Sequence, residues 1–195
     1  TRNEATHRAA HLHVSAIDVV VDLRDAQDTT KPTYPVTSTL TLTSDEERTF
    51  IDIAGEVKEV LLNGEAHAFD DDEDRVWVGG LPVGETITLE VRALASYSRS
   101  GEGLHRYTDP EDGEVYLYTQ FEPNDAHRAW PCIDQPDVKP EWTFHVIAPA
   151  GWVVSSNGVE TAVEAVDDSG ALRHDFTATR PLSSYITAIV AGPWA

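Results

Sequence analysis

The sequence has one cysteine, no methionine, few basic residues and no long apolar run. A single cysteine excludes an intrachain disulfide, so the fold must stand on its core. It also fits a reducing compartment, and a cytoplasmic location is the expectation. Only 14 Lys and Arg stand against 34 Asp and Glu, a formal charge of −20. Phosphate binding needs a basic footprint, and no Lys/Arg cluster supplies one, so a nucleic-acid partner is excluded. The same charge argues against a membrane partner with an anionic surface. No apolar run approaches the ~18 residues that read as a membrane span. Thr1 to His13 is polar and His-rich, without the apolar stretch of a signal peptide. The missing methionine suggests a chain without its start, processed or excised from a longer one.

What is present is a folded globule. The 195 residues are 41% hydrophobic and include five Trp, against the composition of disorder. The dominant period is two. Residues 12–24, Val36 to Leu42, Phe50 to Ile53 and Val57 to Leu62 read as strands, and the turn pair Asn63-Gly64 follows the last of them. Val76–Val78, Thr86–Leu94, Val115–Phe121 and Trp142–Ile147 continue the pattern. Trp152–Ser155, Val159–Val166, Leu172–Ala178 and Tyr185–Val190 complete it. Turn signals recur about every 8–12 residues, the spacing of an all-β sandwich. Only Pro123–Trp130 suggests a short helix, with Pro at its start and Arg128 near its end. The Gly/Ser/Asp-rich stretch Ser98–Gly113 reads as a seam between two strand-rich halves.

Several residues invite a chemical reading. His7 and His11 are four apart, so on a helix they would share a face. A zinc-peptidase helix needs H-E-x-x-H, and Arg8 stands where the Glu is required. These histidines therefore read as a polar terminal segment, and no metal site is expected. The run Asp70-Asp71-Asp72-Glu73-Asp74 lacks the central Gly of a Ca²⁺ loop and reads as a solvated hairpin tip. Cys132 is flanked by apolar residues and reads as a small core residue rather than a nucleophile. No catalytic residue is expected in the chain. Gln120 and Glu122 end a strand two residues apart, which puts both on one face. A Gln amide beside a carboxylate suits an ammonium group. The same pattern also fits a capped corner between strand and helix.

The block around them is more specific. Tyr118-Thr119-Gln120-Phe121-Glu122-Pro123, followed by Asp125-Ala126-His127-Arg128-Ala129-Trp130-Pro131-Cys132-Ile133-Asp134-Gln135-Pro136-Asp137-Val138-Lys139, resembles the aminopeptidase N family of zinc metallopeptidases. Gly103-Leu104-His105-Arg106-Tyr107 upstream and Ser155-Ser156-Asn157-Gly158 downstream resemble neighbouring segments of that family. The resemblance is sharpest over residues 97–158. Gln135, where family members often carry Glu, and Pro140-Glu141 depart from the pattern.

The resemblance implies an all-β fold, a saddle-like antiparallel β-sandwich with one short helix. Residues 1–195 would form one N-terminal domain, preceding a thermolysin-like catalytic domain in the parent enzyme. By the same resemblance Gln120 lines the substrate pocket and Glu122 helps bind the free α-amino group. Arg128, Pro131, Cys132 and Asp134 would hold the shape of the loop. The partners implied are the N-terminus of a peptide substrate and the catalytic domain of the same polypeptide. The family's H-E-x-x-H zinc site and its Gly-Ala-Met-Glu-Asn motif are absent from the sequence. Zn would thus serve the parent, with no cofactor in this chain, which would be inactive alone. A stand-alone β-sandwich binding module is the competing expectation. A diverged, inactive homologue is a third.

Overall fold

The computed structural model describes residues 1–194. An α-helix, α1 (Arg2–His11), leads into β1 (Leu12–Asp22), β2 (Thr33–Ser44), β3 (Arg48–Asp52), β4 (Gly55–Leu62), β5 (Glu65–Ala66), β6 (Phe69–Asp72), β7 (Arg75–Gly79) and β8 (Thr86–Ser96). The second half adds β9 (Gly103–Thr108), β10 (Val115–Gln120), β11 (Glu141–Pro149), β12 (Val153–Ser156), β13 (Glu160–Ala165), β14 (Ala171–Phe176) and β15 (Ile189–Gly192). Single 3₁₀ turns occur at Ala126–Arg128 and Ser184–Ile186. No helix among the described residues is long and apolar enough to cross a membrane.

The strands form three sheets. The largest has the order β13-β14-β11-β1-β2-β8-β4-β5. Its neighbours are antiparallel except β1 and β11, which run parallel with Ala16 opposite Glu141. A four-stranded sheet, β12-β15-β10-β9, and a three-stranded sheet, β3-β7-β6, are both antiparallel.

The large sheet is one-sided. In β8, Ile87, Leu89, Val91, Ala93 and Ala95 are buried, while Thr86, Thr88 and Arg92 are exposed. In β2, Tyr34, Val36, Leu40 and Leu42 turn the same way inward. Successive side chains of a strand point to opposite faces, so this alternation gives the sheet one apolar face that must be covered. The inward residues of all three sheets merge into one core. Its largest members stack from the big sheet toward the loop after β10. Trp142 lies parallel to Phe144 at 5.9 Å, Phe144 meets Trp130 at 5.2 Å, and Trp130 meets Phe121 edge-on at 4.9 Å. The indole N–H of Trp142 donates to the Leu182 carbonyl at 2.9 Å. Tyr34 donates its hydroxyl to the Ala129 carbonyl at 3.0 Å, and burial pushes its pKa well up.

Most of the expected strands are present, with shifted ends. Asn63 and Gly64 adopt positive φ of 51° and 85° and close the β4–β5 hairpin, as their residue types require. The acidic run forms β6 and the tip that turns into β7, where its charges stay solvated. Three expectations are corrected. The helix expected over Pro123–Trp130 is a single 3₁₀ turn, and the only α-helix among the described residues is α1. A capping box between Thr1 and Glu4 starts α1, and its one buried residue is Arg8. With no apolar stripe, the helix leaves no hydrophobic period in the sequence. The seam at Ser98–Gly113 contains β9, which pairs with β10 throughout. There Leu104 is buried, and Arg106 lies over the Tyr97 ring at 4.1 Å. The strand expected at Tyr185–Val190 is a 3₁₀ turn followed by β15.

Trp142 is fully buried and its indole is hydrogen-bonded. Trp142→Ala is expected to cost about 3–5 kcal/mol of unfolding free energy. Thr143→Ala, one residue along on the other face, should stay within about 0.5 kcal/mol. Chemical denaturation of the two variants checks the contrast.

Candidate functional site

The end of β10 and the loop between β10 and β11 carry the motif residues singled out above. Its anchor is a buried ionic network. Arg8 of α1 donates from Nη1 to Asp52 Oδ2 at 2.8 Å, and both side chains are nearly excluded from solvent. Its Nε donates to Gln135 Oε1 at 3.1 Å, and Gln135 Nε2 donates onward to the Ala5 carbonyl at 2.9 Å. The guanidinium lies 4.1 Å over the Phe50 ring. Asp52 Oδ2 also accepts the backbone N–H of Asp134 at 2.9 Å, while the Asp52 and Cys132 backbones exchange a pair of hydrogen bonds. Buried charges need partners of this kind to offset their desolvation.

Asp134 extends the network. Its carboxylate accepts from the ring Nδ1 of His127 at 2.8 Å, from the His127 backbone N–H at 3.1 Å and from Ser184 Oγ at 2.6 Å. Burial works against charge on both partners. The mutual hydrogen bond and charge win, so His127 is raised above its ordinary pKa and Asp134 is held below its own. Cys132 is buried and free, and burial pushes its thiol well above the usual range, so it is inert rather than nucleophilic. A cleft of about 560 Å³ opens over this network, with Glu4, Asp72, Asp74, Arg75 and Asn124 among its walls.

Gln120 and Glu122 stand apart from the network. Gln120 ends β10 opposite Gly103 of β9. Its Oε1 accepts the backbone N–H of Glu122 at 2.8 Å, which fixes the turn that carries both side chains. Both residues are exposed. Among the described residues, the Glu122 carboxylate has no hydrogen-bond or ion-pair partner. Asp125, three residues on, is by contrast held by Arg128 at 2.7 Å. Gly103 must be a glycine here: its φ is +69°, and a Cβ would lie 3.1 Å from Arg128 Cβ. The structure thus brings Gln120 and Glu122 together at one strand end. It leaves one carboxylate uncommitted, suited to an ammonium group.

The four-stranded sheet leads up to this pair. Its outward face carries cross-strand rows in register. Tyr118 pairs with Val190 and His105, and Tyr116 pairs with Tyr107. Val153 faces Gly192 in the adjoining strands, and Trp194 meets the Tyr116 ring at 4.6 Å. Gln120 is two residues beyond Tyr118 and so shares that face. Tyr107, Tyr118, Val153 and Trp194 are each 39–50% exposed.

The sequence reading missed Arg8 and Asp52. Thr1-x-x-Glu4, a capping-box spacing, is the one signal that pointed to the helix carrying Arg8. Removing Arg8 leaves Asp52 buried without its cation. Arg8→Met should destabilise the chain by about 3–5 kcal/mol, and adding Asp52→Asn should return part of the loss. Denaturation of the single and double variants measures both.

The His127–Asp134 pair also sets a pH dependence. A raised histidine pKa contributes stability at low pH that is lost as pH rises through the folded value. A lowered aspartate pKa contributes stability that is lost as pH falls through its folded value. Between about pH 6 and about pH 9, wild-type stability should therefore fall, and His127→Gln should fall less. Urea midpoints across that range supply the check.

Comparison with known proteins now adds to this geometry. The family described as Peptidase M1 N-terminal domain matches residues 56–186. The chain is 40% identical over 201 residues to an aminopeptidase N of Streptomyces lividans, across 100% of this chain and 22% of that protein. It is 33% identical over 109 residues to an aminopeptidase N of Haemonchus contortus, across 54% of this chain and 11% of that one. Among solved structures, an M1 zinc metallopeptidase from Deinococcus radiodurans superposes with a TM-score of 0.75 at 25% identity. It covers 93% of this chain and 42% of its own. The chain therefore spans about a fifth of the length of the Streptomyces relative.

Proposed function

The chain belongs to the Peptidase M1 N-terminal domain family, and from that premise we propose that it forms one wall of the substrate cleft in a zinc-dependent aminopeptidase. In this reading it helps hold the α-amino group of the peptide whose N-terminal residue is removed. It performs no hydrolysis alone.

The observation that carries the reading is the outward face of the four-stranded sheet. Aromatic and aliphatic side chains stand exposed there in paired rows, and the same face ends at Gln120. A contiguous apolar face of this kind marks a surface that another protein layer covers. A stand-alone binding module, the competing reading, gives no reason for it beside an uncommitted carboxylate. The expected cover is the catalytic domain of the same polypeptide. That fits a chain accounting for 22% of one relative and 42% of the Deinococcus structure. The peptide N-terminus would then lie where the two domains meet. Its ammonium would donate to the Glu122 carboxylate, while Gln120 would bound the first specificity pocket.

The zinc ion would belong to the other domain. No His-Glu-x-x-His stretch occurs in this sequence. Arg8, which takes the place of the Glu between His7 and His11, is committed to Asp52. The Glu general base of that motif is therefore missing here, and no hydrolytic step is assigned to this chain. A cytoplasmic setting belongs to the same proposal, and the buried, free Cys132 is in keeping with it.

Glu122→Ala in the full-length enzyme tests the site. A hydrogen bond to a charged group contributes about 1.5–3 kcal/mol, so kcat/KM for a peptide should fall about 10- to 100-fold. Binding of an analogue lacking the α-amino group should change little. Equal and small effects on both ligands would overturn the role of Glu122.

A further inference from the structure

We propose that His7, His11 and Glu46 form a binding site for one divalent transition-metal ion, which clips α1 to the turn between β2 and β3. The proposal does not rest on the cleft reading above, and none of its three ligands has a role in that reading.

Folding turns a sequence spacing into a shared face. His7 and His11 are one helical turn apart on α1, and their ring centroids are 4.5 Å apart. Glu46 comes from the turn after β2 and places Oε1 2.8 Å from His7 Nε2. One donor atom from each of the three side chains lies within 4.8 Å of the others. Two imidazoles and one carboxylate are a donor set for Zn²⁺ and its neighbours, with bonds of about 2.0–2.2 Å. Small rotations of these side chains, of which His7 is exposed and His11 and Glu46 are half-buried, would close that spacing, leaving a further position for water.

The supports of the three ligands are fixed before any ion arrives. Arg8, between the two histidines, is buried and paired with Asp52, which pins the helix. The Asp45 backbone N–H donates to the His11 carbonyl at 2.9 Å, tying the turn to the end of the helix. The hydroxyl of buried Ser44 accepts from the Glu46 N–H at 3.1 Å and donates to the Glu46 carbonyl at 2.8 Å. A helix and a turn held this way present their ligands at low entropic cost. An exposed His–Glu hydrogen bond contributes little by itself. A metal ion in its place would join residues 35 or more positions apart in sequence.

The test is isothermal titration of the 195-residue chain, without an affinity tag, with Zn²⁺, and with Co²⁺ followed by its visible absorption. One ion per chain is expected, with Mg²⁺ giving no heat because it prefers all-oxygen sites. His7→Ala, His11→Ala and Glu46→Gln should each weaken Zn²⁺ binding at least about tenfold, the scale on which even outer-shell partners act. Both His→Ala changes favour the helix, and circular dichroism is the check that α1 persists. His13→Ala, on β1, should leave affinity unchanged. Hydrogen exchange in α1 should slow when Zn²⁺ is added to the wild type only. Absence of binding, or binding that survives the His7→Ala/His11→Ala pair, overturns the site.

Discussion

The buried charge of Arg8 is the constraint on which much of this molecule depends. Its guanidinium reaches β3 through Asp52 and the loop after β10 through Gln135. Asp52 then fixes Asp134, and Asp134 gathers His127 and Ser184. One cation thus joins the helix, the three-stranded sheet, the loop and the approach to β15. The two carboxylates of this network, Asp52 and Asp134, are each satisfied by several donors, which is the condition for keeping charge out of water. The loop that begins just after Gln120 is therefore set by residues from distant parts of the sequence rather than by its own composition.

That distance explains what was and was not legible. The strands of the large sheet announce themselves because each has one wet face and one dry one. Ile87, Leu89 and Val91 against Thr86, Thr88 and Glu90 are enough to read β8. Asn63-Gly64 is legible because few other residues accept its backbone angles. Helix α1 is not, because its inward residue is an arginine rather than a leucine. Strand β9 is hidden because Gly103 and the polar His105 and Arg106 break the apolar alternation around Leu104. Gln120 and Glu122 stand out in the sequence because both lie in one local motif. Arg8 and Asp52, 44 positions apart, share no local pattern at all.

The four-stranded sheet divides its labour by face. Leu117, Ile189 and Ala191 turn inward and are completely buried. The opposite face gathers tyrosines, valines and Trp194, and these side chains combine large apolar area with a polar edge. Such residues tolerate water and still favour association. The polar pair at the strand end lies beyond this apolar field, where solvent and a neighbouring layer would meet. A side chain at the end of a rigid sheet, as Gln120 is, is held more firmly than one on a free loop.

The parallel seam between β1 and β11 carries a consequence for how the chain is made. Ala16 pairs with Glu141, so this edge of β1 waits for residues synthesised much later. In the meantime β1, β2, β8 and β4 can already assemble from the first half of the chain. Pairings so remote in sequence are slow to form, and an unpaired strand edge is a template for the wrong partner. Until β11 is present, that edge of β1, along Val19 and Val21, has no strand partner. The strand that closes that edge, β11, also carries Trp142 and Phe144 of the core, so one pairing covers the edge and fills the centre.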